Sequence, residues 1–149
     1  MNREIKFRGK YSDRHPWVYG HFYNNCDIGV NMNIIINFDE NEGTGKEYQI
    51  SPYFLRQYTG LNDKHGKEIY EGDILHYTEH PGYLLSTTNM IVCWNDEYAG
   101  FGYKAKNMHG FFMSFWNHDE LKKDVLDHCE IIGNIYDNPG LLQPAREHK

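Results

Sequence analysis

The chain has 149 residues, and 15 Lys+Arg against 21 Asp+Glu give it a formal net charge of −6. A chain of this length forms one domain, or one domain with a small appended part, and needs neither a metal nor a disulfide to hold an ordinary core. The acidic balance argues against a protein that binds polyanions over its whole surface.

The N-terminal sequence, the length of the apolar runs and the spacing of the cysteines predict the cellular compartment. The first residues, MNREIKFR, carry charges where a signal peptide has an apolar core. The longest apolar runs, such as residues 34–36, are too short to cross a membrane. The three cysteines are far apart, without a Cys-x-x-Cys pair. We therefore predict a cytoplasmic protein with reduced thiols and no membrane partner.

Apolar residues alternate with polar ones along most of the chain, which is the period-two pattern of β-strands. The alternating segments lie at residues 5–8, 31–38, 90–94 and 131–135, and residues 17–23 form a further strand. Within residues 17–23, Gly20 is a predicted bulge or close-packing point. The chain is therefore predicted to be mainly β.

One segment predicts a helix, near residues 118–127. Asp119 and Glu120 suit the positive N-terminal end of a helix, and Leu121 and Val125 lie one turn apart. Residues 143–149 have no apolar pattern and are predicted to form a frayed tail.

The stretch QYTGLNDKHGKEIYEGDIL, residues 57–75, combines strand formers with turn residues. Gly60 interrupts a strand, and Gly66 can take a positive φ after a run of Asn and Asp. Gly72 and Asp73 form a second sharp turn before the next strand. Two turns that bracket one short strand are typical of a small β-barrel corner, so we predict a structural rather than a catalytic role.

Three stretches carry a family resemblance: IKFRGK near the start, YTGLNDKHGKEIYEGDIL in the middle and EIIGNIYDNPGLL near the end. Together they resemble the YopX family of phage and prophage proteins, over residues 5–142. The resemblance implies a mostly β protein with an SH3-like barrel after Tyr58, a gene carried by a phage or prophage in a bacterial host, and no known activity. We therefore expect a β-rich segment at residues 1–57 packed on a barrel at residues 58–142, with further turn positions at Gly133, Asn138 and Pro139.

The sequence HYTEH, residues 76–80, matches the H-x-x-E-H pattern of inverted zinc peptidases. That chemistry requires both histidines on one face of a helix. Here the segment follows a strand start, and on a strand His76 and His80 would lie about 13 Å apart. We predict no metal at this position.

The other chemical motifs are also incomplete. The loop EGTGKE, residues 42–47, lacks the spacing of a phosphate-binding loop, and the acidic stretch from Asp39 lacks the ligand pattern of a calcium loop. Cys93 is predicted to be a packed thiol, and adjacent His128 and Cys129 have no third member of a catalytic set. We therefore predict no catalytic residue and no cofactor, which is the expectation for a protein that is not an enzyme.

The N-terminal segment, residues 3–14, contains five basic and two acidic residues. Lys6, Arg8 and Lys10 would share one strand face beside Tyr11 and Trp17. Basic side chains beside aromatic rings suit single-stranded nucleic acid, so a nucleic-acid contact is one interpretation. A solvated strand face and a contact with another protein are the other two.

The segment GFGYKAKNMHGFFMSFW, residues 100–116, is dense in aromatic residues. A β core can bury about half of them by alternation, and the rest would form an exposed patch of the kind found at interfaces. We therefore predict a non-enzymatic interaction or assembly module that binds a protein partner or a second copy of itself. A nucleic-acid-binding accessory protein is the alternative, and an enzyme of unknown activity is the third.

Overall fold

A computed structural model of the protein describes residues 3–26, 32–78, 89–105, 111–115 and 127–142. It divides into two compact units, Met1–Gly60 and Leu61–Lys149. The described residues form the strands β1 Phe7–Gly9, β2 Val18–Asn25, β3 Met32–Asp39, β4 Thr44–Ile50, β5 Arg56–Asn62, β6 Glu68–Tyr70, β7 Asp73–Tyr77, β8 Asn89–Asn95, β9 Gly100–Ala105, β10 Phe112–Ser114 and β11 Cys129–Asn134. Short 3-10 turns lie at Pro52–Phe54 and Pro139–Leu142.

The first unit is built on an antiparallel sheet in the order β4-β3-β2-β1-β5. The hairpin of β3 and β4 is fully paired, from Asn33 opposite Ile50 to Asp39 opposite Thr44. Strand β5 extends two residues past Gly60, to Asn62. Alternation along these strands places Ile35 and Ile50 in the core, where both are almost fully buried.

Gly20 lies where two backbones approach closely. A Cβ atom at this position would collide with the carbonyl oxygen of Ile36 on the neighbouring strand β3. Only a residue without a side chain fits such an approach, so the glycine allows β2 and β3 to pair.

The second unit contains an antiparallel sheet in the order β10-β9-β8-β7-β11. Its core is one cluster of buried side chains, contributed mainly by alternate positions of the central strands: Leu61, Ile69, Leu75, Tyr77, Met90, Val92, Phe101, Tyr103, Ala105, Phe115 and Cys129. Met90 pairs with Ala105 and Val92 with Tyr103, so one face of β8 and β9 supplies four of these residues.

The mainly β prediction is confirmed, because eleven strands and little helix make up the described part of the chain. A closed SH3-like barrel is not confirmed, since β10 and β11 are the outer strands of an open order among the described residues. The helix predicted near residues 118–127 lies outside the described residues except for its last residue, Asp127, which is helical together with His128. The frayed tail, residues 143–149, also lies outside them.

The unit boundary at Gly60 lies three residues after the predicted end of the N-terminal segment at residue 57. How that segment packs on the second unit stays a prediction. In the described part of the chain, we find no helix that is both long and apolar enough to span a membrane.

Candidate functional site

The turn at residues 63–67 is closed by the carboxylate of Asp63. Its Oδ1 accepts the backbone N–H of His65 and of Lys67, both at 2.9 Å, and its Oδ2 accepts the N–H of Ile131 at 3.0 Å. Gly66 has a φ of 79° and donates its N–H to the carbonyl oxygen of Asp63. Asp63 therefore holds the turn together and joins it to β11, and its carboxylate is occupied by backbone donors.

A second corner lies at Gly72 and Asp73. Gly72 has a φ of 85°, donates its N–H to Val92 O at 2.8 Å and accepts the N–H of Ile135 at 2.9 Å. The buried Oδ2 of Asp73 accepts the N–H of Tyr70 at 2.8 Å. The corner thus connects β6, β7, β8 and the segment after β11 through hydrogen bonds, which is a structural role for both residues.

The C-terminal motif is organised by Asn134. Its Oδ1 accepts the N–H of Tyr136 at 3.0 Å and of Asp137 at 2.9 Å, and its own N–H donates to Asn138 Oδ1 at 3.2 Å. The Asn138 side chain lies over Gly133, where an added Cβ would stand 2.9 Å from Asn138 Cβ. Pro139 begins the following 3-10 turn, since its fixed φ suits that position.

The three basic residues predicted to bind nucleic acid lie against aromatic rings of the first unit. Lys6 Nζ is 5.5 Å from the Tyr58 ring centre, and Arg8 Cζ is 4.7 Å from that of Trp17. Lys10 Nζ lies between two rings, 4.9 Å from Trp17 and 4.9 Å from Phe54. Cation–π contacts of this kind stabilise a fold by about 0.5–2 kcal/mol each.

This packing leaves little of the predicted basic face accessible. Arg8 is 5% exposed and Lys10 is 2% exposed, while the Lys6 side chain is 20% exposed and lies 3.6 Å from a Glu4 carboxylate oxygen. A phosphate group would have to displace Trp17 or Phe54 to reach the two buried cations. The nucleic-acid contact of these residues stays a prediction.

The residues of the HYTEH motif are only partly described. His76 lies in β7 and its Nδ1 is 3.0 Å from Asn89 Oδ1, whereas His80 lies outside the described residues. In the described ranges no group of three or more His, Cys, Asp or Glu side chains is placed to hold a metal ion. The absence of zinc therefore stays a prediction.

Two of the cysteines lie in the sheet of the second unit. Burial raises the pKa of the half-buried Cys93 thiol, Lys104 opposes this effect and Glu71 adds to it. A raised pKa keeps the thiol protonated near neutral pH, which makes it a weak nucleophile. Cys129 is fully buried in the core, next to a His128 ring that lies 5.9 Å from Tyr77.

Large aromatic side chains are exposed at the turn between β8 and β9 and beside β10. Trp94 is 40% exposed, Tyr98 57% and Phe111 71%, and Tyr98 stacks on half-buried Phe112 with ring centres 5.6 Å apart and planes 17° apart. We call Trp94, Tyr98, Phe111 and Phe112 the aromatic tip. Trp94 lies beside Phe101 on the core-facing side of the sheet, whereas Tyr98 and Phe112 lie on the opposite side, over Gly102.

The backbone of the second unit fixes this arrangement. Phe112 pairs with Lys104 on β9, and its ring lies over Gly102, where a Cβ would come within 2.6 Å of Phe112 Cζ. Asn95 Oδ1 accepts the N–H of Tyr98 at 3.1 Å, which sets the turn that carries the Tyr98 ring. Phe112 can lie flat because Gly102 has no side chain.

The aromatic segment behaves partly as predicted from alternation. Phe101, Tyr103 and Phe115 enter the core, and Phe111 remains exposed. Trp94 and Tyr98 lie before the predicted segment, so sequence reasoning missed them. The polar turn residues 95–97 between two aromatics were the available signal.

The described residues define a mainly β protein with two antiparallel sheets. Its turns are held by hydrogen bonds from side chains to the backbone, and the aromatic tip of the second unit is exposed. The family model described as YopX protein matches residues 6–143, and the chain belongs to this family. Among solved structures it is similar to the crystal structure of protein EF1440 from Enterococcus faecalis, at 24% identity and a TM-score of 0.56 over 95% of this chain and 100% of that one. That likeness shows the fold alone. No curated protein matches the chain.

Proposed function

We propose that the protein is a non-enzymatic interaction module and that the aromatic tip is its contact surface. The observation that carries this proposal is the exposure of Tyr98, which stacks on Phe112, together with exposed Trp94 at the end of β8 and exposed Phe111 before β10. Burying one such side chain against a partner contributes about 1.5–3 kcal/mol. Tyr and Trp are also enriched among the residues that dominate binding energy at interfaces.

The occupation of the acidic side chains supports a non-enzymatic role. Asp63 and Asp73 are buried, and their carboxylates accept backbone N–H groups. Side chains committed to turns in this way are not positioned as general acids or bases toward a substrate. The raised pKa of Cys93 supports the same proposal.

The setting that we propose is the cytoplasm of a bacterial host, with the gene carried by a phage or prophage. Cys26, Cys93 and Cys129 are thiols rather than disulfides, which is compatible with a reducing compartment. We also propose an SH3-like arrangement for the second unit, supported by its short strands and by the sharp corner at Gly72.

Nucleic-acid binding is the second candidate function. It is favoured by the location of Lys6, Arg8 and Lys10 beside aromatic rings on one strand. We rank it below protein binding because Arg8 and Lys10 are buried by those same rings. Among the described residues of the second unit, Trp94, Tyr98 and Phe111 are instead exposed.

The test is affinity capture from prophage-induced cells with three forms of the protein: the natural chain, a Tyr98→Ser/Phe111→Ser variant and a Phe38→Ser control. Phe38 is 58% exposed and lies in the first unit, so the control removes a similar aromatic area elsewhere. Sedimentation equilibrium on each form measures self-association.

We expect a protein, or a second copy, that associates with the natural chain and with the control but not with the double variant. Melting curves verify that all three forms are folded. Equal capture and equal sedimentation for all three forms would contradict the proposed contact surface.

A further inference from the structure

The sheet of the second unit has a row of partly exposed side chains on the side that faces away from its core. Ile91, Lys104 and Phe112 lie directly opposite one another on β8, β9 and β10. Side chains in such positions stand on one side of a sheet, with Cβ atoms about 4.5–5.5 Å apart. Lys104 is exposed, and the other two are half-buried. The strand register therefore places all three on one surface.

The same surface continues around Gly102. Cys93 lies directly opposite Gly102, and the Phe112 ring lies over that glycine. Exposed Tyr98 stacks on the Phe112 ring, with the two planes 17° apart. The thiol and the stacked rings thus adjoin the first row. We define the outer patch as the five side chains on this side of the sheet: Ile91, Cys93, Tyr98, Lys104 and Phe112.

Two opposite charges approach Cys93 from different sides. Burial raises the pKa of the Cys93 thiol, and the charges of Lys104 and Glu71 act on it in opposite directions. Lys104 lies on β9, whereas half-buried Glu71 lies just before β7 and next to Gly72, whose N–H donates to Val92 O on β8. Because β8 stands between β9 and β7 in the sheet, one charge lies on each side of Cys93.

We propose that the outer patch binds the outer patch of a second copy of the chain, around a two-fold axis that runs along β8 past Cys93. A two-fold contact requires a surface that is complementary to itself. Half a turn about this axis exchanges the two sides of β8, so Lys104 of each copy faces Glu71 of the other. The Tyr98–Phe112 stack lies farther out on the β9 side and adds apolar area at both ends of the contact. This inference rests on the proposed function, because it assigns the partner of the Tyr98 side of the aromatic tip.

The charges of the outer patch favour a second copy over a separate, strongly charged protein. An acidic or a basic partner would attract only one of the two charges and would place a like charge opposite the other. The net charge of −6 opposes the approach of a second copy. At physiological ionic strength that repulsion is screened beyond about 8 Å, whereas the two Lys104–Glu71 pairs are in contact.

The test is charge reversal measured by sedimentation equilibrium at physiological salt. We expect the natural chain to form a dimer. Lys104→Glu or Glu71→Lys alone creates two like-charge pairs in a two-fold dimer and is expected to raise the dimer Kd at least about tenfold. An equimolar mixture of the two single variants forms opposite-charge pairs again, so it is expected to associate within about twofold of the natural Kd.

Two further variants separate the contact from effects of net charge and of folding. Lys67→Glu changes the net charge as Lys104→Glu does, at an exposed position of the same unit, and is expected to leave the dimer Kd unchanged. Tyr98→Ser removes an exposed ring and is expected to raise the Kd about tenfold. Melting curves verify that each variant is folded. Lys104→Glu and Tyr98→Ser lie at exposed positions, so they test the proposal even if Glu71→Lys does not fold.

A natural chain that stays monomeric would overturn the inference, as would equal effects of Lys67→Glu and Lys104→Glu on association. A mixture of folded single variants that does not recover association would also overturn it. If the natural chain is monomeric but Tyr98→Ser/Phe111→Ser abolishes capture of another protein, the proposed contact surface stands and only the second copy is wrong. A monomeric chain with unaffected capture would remove both proposals together.

Discussion

The carboxylate of Asp63 accepts the backbone N–H of Ile131 at 3.0 Å, across 68 residues of sequence. The same side chain closes its own turn through His65 and Lys67. One almost buried carboxylate thus satisfies three backbone donors from two distant parts of the family motif. The motif therefore ties strand ends together in the second unit.

We predict that Asp63→Ala lowers the free energy of unfolding by about 2–4 kcal/mol, because three backbone N–H groups lose their acceptor. Asp63→Asn keeps one acceptor oxygen and should lose less. Urea denaturation measures both variants, with Glu97→Ala as the control at an exposed position. An Asp63→Ala variant as stable as the control would contradict the structural role.

Gly72 provides a test of backbone strain. Its φ of 85° is unfavourable for a residue with a side chain, while a Cβ there would stand 3.5 Å from Ile135 Cγ1, an ordinary contact. Gly72→Ala should therefore lower stability by about 1–2 kcal/mol through the backbone alone. Gly140→Ala is the matched control, because a Cβ there meets no atom within 4 Å and its φ is not in the left-handed region. Equal melting temperatures of the two variants would contradict the assignment of the strain to Gly72.

Local sequence patterns predicted the individual strands and turns of this fold better than they predicted which strands pair with each other. Period-two alternation identified the face of β8 that carries Met90 and Val92, because side-chain direction on a strand follows directly from sequence position. The turn at Gly66 was predictable from residue chemistry for a similar reason. The open order of the second sheet was not predictable, since it depends on pairings such as β7 with β11, which are distant in sequence.

The burial of the basic residues in the N-terminal segment was likewise not predictable from local sequence patterns. Alternation indicates that Lys6, Arg8 and Lys10 share a face, but it does not indicate whether that face is covered. The rings that cover Arg8 and Lys10 belong to Trp17 and Phe54, which precede β2 and β5. Burial depends on these non-local contacts and so required the structure.

The raised pKa of Cys93 predicts its reactivity toward iodoacetamide. Burial raises this pKa above its ordinary value, so the thiolate fraction at pH 8 is reduced and alkylation of Cys93 should be slower than that of exposed Cys26. The rate should rise as pH increases above 9, where more thiolate forms. Lys104→Gln removes the opposing charge and should slow the reaction further. Peptide mass spectrometry over a pH series measures both sites, and faster labelling of Cys93 at neutral pH would contradict the prediction.

The last prediction concerns single-stranded nucleic acid, which distinguishes the two candidate functions. Because Arg8 and Lys10 are buried, we expect an oligonucleotide to bind weakly at physiological salt, with few phosphate contacts. Each contact contributes about −0.7 to the log–log slope of affinity against salt, so the slope should be shallower than about −1.

The variant for this test is Lys6→Glu, since Lys6 is the most accessible of the three cations and its change leaves the Trp17 contacts in place. Glu substitutions at Arg8 or Lys10 would place an unpaired charge under Trp17 and confuse unfolding with lost binding. Tight binding with a steep salt slope that Lys6→Glu weakens at least tenfold, in a variant with an unchanged melting temperature, would place nucleic acid ahead of a protein partner.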